Sequence, residues 1–212
     1  MAFYWIKTHP IIQMLFPRYL WRMSPNFPNV YLTFDDGPEP EVTPWVLDKL
    51  KEYNAKATFF CIGKNIETNP ELFQRIINEG HAIGNHTANH LNGWSTDSAG
   101  YLKNAESFEN SARDVAAVEV KLFRPPYGKI KLSQAKALIK RGYKIVMWDV
   151  LSADFDRSIT PEKCAQNVLR NIGPGSIVIF HDSKKAKKNM QVALLETLQY
   201  AKRKGYKCEV IA

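Results

Sequence analysis

From residue 29 onward the sequence alternates short apolar, β-branched runs with amphipathic stretches of helical period, and no linker-like segment breaks the rhythm. Val30-Tyr31-Leu32-Thr33-Phe34 reads as a first strand, and further strands are expected near 57–62, 82–85, 120–124, 144–149, 176–180 and 206–211, seven in all. Helices are expected between them. Thr43-Pro44 supplies an N-cap and a first helical residue for 43–54, Asn69-Pro70 repeats the device before 71–79, and Thr160-Pro161 does so a third time. Other helices are predicted near 97–117, 132–141 and 187–204. Strands joined through helices pair in parallel, because a tight hairpin cannot bring two strands side by side in the same direction. A closed barrel and an open doubly wound sheet both satisfy this order, and in either one ligands gather at the C-terminal strand ends.

The unusual polar residues fall at that end. Asp35 and Asp36, in Thr33-Phe34-Asp35-Asp36-Gly37-Pro38, close the first strand just before a turn. Adjacent side chains on an extended backbone diverge, so the two acids are expected to have separate tasks, one on a metal and one on a proton. His86 and His90 follow the third strand, and their spacing would place both on one face of a helical turn. One carboxylate such as Asp36 added to them gives two nitrogens and an oxygen, a set that leaves positions open for water and substrate, whereas a structural zinc takes four protein ligands. His81, at a helix-to-strand junction, reads as structural. Arg124 ends the fourth strand in Phe123-Arg124-Pro125-Pro126-Tyr127-Gly128, where the prolines stiffen the chain. Arg124 is expected to hold a carboxylate in a fork, and the Tyr127 amide to point into the site. Asp149 and Asp154 follow the fifth strand, and the buried-type run Ile177-Val178-Ile179-Phe180 delivers His181 and Asp182. A histidine among acids suits proton transfer near neutral pH, and a buried structural histidine is the alternative. Trp94, Trp148 and Phe155 are candidates for a sugar-facing surface.

With 212 residues, 45% of them hydrophobic, the chain suffices for one domain with its own core. Lysine and arginine total 29 against 21 acids, a net charge of +8, and Ser183-Lys184-Lys185-Ala186-Lys187-Lys188 concentrates part of it. That run reads as a solvated helix start. No nucleic-acid motif or aromatic interleaving accompanies it, so no nucleic-acid partner is inferred. Cys61, Cys164 and Cys208 lack metal or disulfide spacing and are expected as free thiols. Residues 1–28 stand outside the rhythm as an aromatic and basic extension, with Trp5, Tyr19 and Trp21 among Lys7, Arg18 and Arg22. A lid or plug on the domain is expected there, with weak interfacial membrane contact as the alternative. The apolar stretch ending at Pro17 is too short and broken to span a membrane, and it lacks a signal-peptide core. A cytoplasmic location is the direct expectation.

Taken together, these motifs resemble the polysaccharide deacetylases of carbohydrate esterase family 4, the NodB-homology domain. The Thr-Phe-Asp-Asp-Gly-Pro, His-Thr-x-x-His and Arg-Pro-Pro-Tyr-Gly motifs are intact and in order, and the likeness covers the chain from about residue 28, making 29–212 the deacetylase domain. The resemblance implies a distorted (β/α)7 barrel, one divalent metal (zinc, or else cobalt or nickel) and hydrolysis of N-acetyl groups on an acetylated carbohydrate. It assigns Asp36, His86 and His90 to the metal, Asp35 to the catalytic base and His181 to the general acid. The Tyr127 N–H would join the metal at the oxyanion, with Pro126, Trp148 and Phe155 beside the substrate. Asp154 would orient or tune Arg124 and His181. The family's Asp-x-x-Asp-Trp stretch appears here as Leu151-Ser152-Ala153-Asp154-Phe155, and bulkier residues precede His181, which would narrow the acetyl pocket. An O-acetyl esterase of xylan type would use the same residues, and a catalytically silent glycan-binding barrel would need neither Asp35 nor His181.

Overall fold

The computed structural model describes residues 4–212. Its sheet is parallel and curled, with strands β1 (Asn29–Asp35), β2 (Ala57–Cys61), β3 (Ala82–Asn85), β4 (Leu122–Phe123), β5 (Lys144–Ile145), β6 (Val150–Leu151) and β7 (Ile177–His181) in the order β5-β4-β3-β2-β1-β7-β6. A short β8 (Lys207–Cys208) adds to the start of β1, off that path. The architecture is an open half-barrel form of the expected (β/α)7 barrel. Helices α2 (Thr43–Glu52), α3 (Gly63–Thr68), α4 (Pro70–Asn78), α5 (Ser98–Ala116), α6 (Leu132–Lys140), α7 (Pro161–Leu169) and α8 (Lys187–Lys204) form the connections, after an α1 (Pro10–Leu15) in the extension.

Strand periodicity decides which side chains enter the barrel. Leu32, Phe34, Val178 and Phe180 point outward into the main core under the helices, where Phe34 stacks between Phe59 and Phe180 at centroid distances of 5.0 and 5.7 Å. Tyr31, Phe60, Leu122, Val146 and Ile177 fill the barrel's lower interior. Thr33 and Asp35 share the inward phase of Tyr31 and so stand above that floor.

Two expectations change. The predicted strand 144–149 is two short strands: among the described strands β5 pairs with β4 alone and β6 with β7 alone, so the chain between them crosses an open seam. Of the three expected N-caps only Thr160 caps, its side chain accepting from the Lys163 amide at 3.2 Å. Thr43 lies inside its helix and its hydroxyl turns instead to Asp182, while the Asn69 side chain donates to carbonyl oxygens.

The N-terminal segment lies along both edges of the seam. Leu20 bridges Val146 in parallel and Lys7 bridges Val150 antiparallel. Backbone amides continue the contact: Met147 donates to Leu20 O at 2.8 Å and Leu151 to Ile6 O at 2.8 Å. Asp149, fully buried, receives Lys7 at 2.7 Å and Arg22 at 3.1 Å, both from this segment. Asp149 thus serves the seam and not the strand-end site. Ile12 and Phe16 pack inward, while Ile11, Met14 and Leu15 are exposed. No helix among the described residues is long and apolar enough to cross a membrane.

Candidate active site

At the C-terminal strand ends a cavity of ≈ 530 Å³ opens. Asp35, Asp36, His86, His90, Tyr127, Trp148, Phe155 and His181 all line it, whereas Arg124 and Asp154 stand behind the wall and Pro126 is not among its lining residues. Trp94 is elsewhere, 62% exposed, with its indole N–H on Ile130 O.

The two acids diverge in partner but not in destination. Asp35 is the last residue of β1 and points inward, and Asp36 then takes a left-handed φ of 83°, which turns its carboxylate into the same cavity. Its carbonyl is held by the Asn65 side-chain amide at 2.7 Å. The histidine loop also differs from expectation. Residues 86–90 are not helical; Thr87 and His90 adopt left-handed φ values of 65° and 55°, and these two bends bring the imidazoles together at a centroid distance of 5.0 Å. Neighbouring side chains satisfy the strained loop: Asn85 Oδ1 accepts from the Thr87 amide at 2.8 Å, and Asn104 Oδ1 accepts from the amides of Ala88 and Asn89 at 3.0 Å each.

Asp36, His86 and His90 each offer a ligand atom, all within 4.8 Å of one another. Asp36 Oδ1 is buried with no hydrogen-bond partner, and it lies 3.3 Å from His90 Nε2 and 3.9 Å from His86 Nε2. An orphaned carboxylate oxygen facing two imidazole nitrogens fits a divalent cation with open coordination positions. The Arg124 carbonyl can only accept, so its 2.7 Å contact fixes the proton on His86 Nδ1 and leaves Nε2 as a ligand. His90 Nδ1 is hydrogen-bonded to the Tyr127 hydroxyl at 3.1 Å. Burial, with the neighbouring His90, pushes His86 down to about 3, and burial also lowers His90, so both rings are neutral at pH 7.

Arg124 is fully buried beneath this set, its guanidinium 4.0 Å from the Phe60 ring centroid. It does not grip a carboxylate as a fork. One nitrogen, Nη1, reaches Asp35 Oδ1 at 2.8 Å and Thr33 Oγ1 at 2.7 Å, while Nη2 and Nε donate to the carbonyls of Met147 and Val146. This single contact fixes Asp35 with Oδ2 on the His86 side, 3.8 Å from Nε2.

On the opposite wall Asp154 accepts twice from His181, from Nδ1 and from the backbone amide, both at 2.7 Å. Asp154 therefore orients His181, whereas Arg124 is oriented by Asp35. Burial alone would lower His181, but the carboxylates of Asp154, Asp36 and Asp35 outweigh it and raise it to about 9, so the ring keeps its proton at neutral pH.

Tyr4 carries no readable signal in the sequence, Lys185 sits in the run that reads as a solvated helix start, and Asp182 has a place at the strand end but no task there. Tyr4 reaches the cavity from the N-terminal segment, its hydroxyl on Asp156 at 2.7 Å and its ring edge-on to Phe155. Lys185 enters from the loop after β7. Asp182, wholly buried, accepts from the Gly37 amide at 3.0 Å and from the Thr43 hydroxyl at 2.6 Å, bracing the turn that carries Asp36. Burial pushes its carboxyl up to about 8 against the opposing Thr43 bond. A Cβ on Gly37 would lie 2.0 Å from Asp182 Oδ2, so Gly37→Ala must displace the turn. A chelator-competition titration is expected to show roughly 10-fold or greater loss of zinc affinity in that variant, the size typical for a lost outer support of a ligand.

The polysaccharide deacetylase family profile matches residues 22–146. A peptidoglycan-N-acetylglucosamine deacetylase of Bacillus cereus is 41% identical over 158 residues, which are 74% of this chain and 57% of that relative, so this chain spans little more than half of its length. A second deacetylase of that name from the same organism is 37% identical over 196 residues, 88% of each chain. The crystal structure of a peptidoglycan N-acetylglucosamine deacetylase bound to 4-naphthalen-1-yl-N-oxidanyl-benzamide superposes with a TM-score of 0.88 at 35% identity, covering 96% of this chain and 95% of the other.

Proposed function

The chain belongs to the polysaccharide deacetylase family, and from that premise we propose that it is a metal-dependent hydrolase removing acetyl groups from N-acetylated sugars of a peptidoglycan-type glycan, with release of acetate. The observation that carries this reading is the pairing of two proton carriers across one cavity. Asp35 presents a free oxygen beside the Asp36, His86 and His90 cluster, and His181 stands protonated on the facing wall.

Asp36, His86 and His90 would hold the ion, and a two-nitrogen, one-oxygen set with open positions suits zinc. When bound, such an ion supplies Lewis acidity toward the acetyl carbonyl and lowers the pKa of water. Asp35 Oδ2 takes the proton that water loses as its oxygen bonds to the acetyl carbon. The Tyr127 N–H, on a left-handed residue at the cavity wall, donates to the developing oxyanion. The carbon–nitrogen bond then breaks as His181 Nε2 delivers its proton to the amine. The products are acetate and a free amino sugar. Leu151, Ile179 and Trp148 form an apolar patch in the wall that suits the acetyl methyl group, and Phe155 offers its ring to the sugar.

Acetate release by the zinc-loaded protein from peptidoglycan fragments, chitooligosaccharides and acetylated xylan tests the reading. Release from the N-acetylated glycans is expected. Release from xylan alone would make the protein an O-acetyl esterase, and release from none would make it a silent barrel.

A further inference from the structure

We propose that Lys185 forms a rim subsite for a carboxylate carried by the glycan next to the acetylated sugar, an inference that rests on the glycan deacetylase reading above. Lys185 is the one lysine or arginine among the described residues that line the cavity. The acids of that cavity are turned elsewhere: Asp35 bonds Arg124, and Asp36 faces the two histidines as a candidate metal ligand. Lys185 is therefore a cation of the wall with no carboxylate ion-paired to it among the described residues.

Its position is built. Ser183 O accepts from the amides of Ala186 and Lys187 at 3.1 and 3.0 Å, and Asp182 and Ala186 on either side of the turn are fully buried. Asn189 Nδ2 donates to Asp156 O at 3.0 Å and so ties the start of α8 to the Phe155 loop. The Lys185 ammonium stands 5.7 Å from the Phe155 ring centroid, and that ring in turn stands 5.3 Å from His181. One aromatic ring thus separates Lys185 from the proton donor, which is the reach of a neighbouring sugar unit and not of the acetyl group itself.

No ion pair joins Lys185 to a carboxylate among the described residues; Asp156 is near enough to feel its charge, but it bonds the Tyr4 hydroxyl and Ser158 instead. The adjacent Lys184 behaves differently, pairing with Glu41 at 2.5 Å and Glu39 at 3.6 Å. A single ammonium without an arginine fork suits a monovalent carboxylate, whereas a phosphate draws several donors. Chitooligosaccharides carry no such group, and the muramic acid units of a peptidoglycan glycan do wherever their lactyl group bears no stem peptide.

The test compares kcat/KM, and calorimetric Kd, for a peptide-free peptidoglycan glycan fragment and a chitooligosaccharide of equal length in the zinc-loaded wild type, K185A and K185R. The preference for the carboxylate-bearing glycan is expected to fall roughly three- to five-fold in K185A, through KM, as for an exposed ion pair. K185R should restore it, and methyl-esterifying the glycan's carboxylates should give the wild type the K185A preference. An unchanged preference in K185A overturns the subsite. If the wild type releases acetate from neither glycan, the deacetylase reading falls and the calorimetric preference alone decides the role of Lys185.

Discussion

Asp35→Asn is expected to lower kcat by about 10³-fold, the upper range for loss of a positioned base, while the protein still takes up one equivalent of zinc. Asparagine keeps an oxygen for Arg124 Nη1 but offers no basic oxygen to the water. His86→Ala removes one of only three ligand atoms in the cluster and is expected to lose zinc on dialysis, as read by elemental analysis. Equal metal loss in both variants would contradict the division of labour between the two acids. Asp35→Asn also has a structural cost, because Arg124 is wholly buried and Asp35 is its only carboxylate partner among the described residues. Removing one partner of a buried pair costs about 3 kcal/mol, which for a chain of this size lowers Tm by about 6–12 °C. Thr33 Oγ1 and two backbone carbonyls remain as acceptors for the guanidinium, so the lower end of that range is expected. Activity is therefore to be compared well below the variant's melting temperature.

The strand-end placing of Asp35 and His181 was legible in the sequence because each follows an apolar, β-branched run and precedes a turn. The β/α order was legible too, since apolar β-branched runs alternate with amphipathic stretches of helical period. Closure was not, because it depends on what meets the edges of β5 and β6. Here that is the N-terminal segment, whose isolated bridges at Lys7 and Leu20 leave no repeating pattern to read. Trp148-Asp149 looked like the end of one strand because both residues are compatible with one. In the fold Asp149 accepts from the Ile177 amide at 2.8 Å and the chain passes from one edge to the other. Spacing showed that His86 and His90 belong together but misread how, since two left-handed residues do the work assigned to a helical turn. Tyr4 and Lys185 act from segments that only tertiary structure brings to the cavity, and a lone tyrosine or lysine carries no motif; Asp182 is legible as a strand-end acid, but its bond to the Gly37 turn is not.

Asp154→Asn is expected to move the alkaline limb of the kcat/KM profile about 1–2 pH units toward acid, the usual size of an opposite-charge effect at contact distance. Burial pulls His181 down, and the Asp154 carboxylate, 2.7 Å from Nδ1, is the largest of the contributions that lift it to about 9. Proton donation is available below that value, so the wild-type rate should fall as pH rises through it, at or below 9 once a cation sits near Asp36. Stability follows the same sign. A histidine raised from 6.5 to about 9 in the folded state contributes stability that is complete below 6.5 and lost as pH rises through 9. The Tm gap between wild type and Asp154→Asn should therefore be widest near pH 6 and shrink toward pH 10. His181→Ala removes the donor itself and is expected to cost about 10²-fold or more on N-acetyl sugars. An activated acetyl ester such as p-nitrophenyl acetate, whose leaving group needs no proton, should lose far less. A loss of equal size on both substrates, with an unmoved limb in Asp154→Asn, would leave His181 a structural histidine braced by Asp154 and assign the leaving-group proton to another donor.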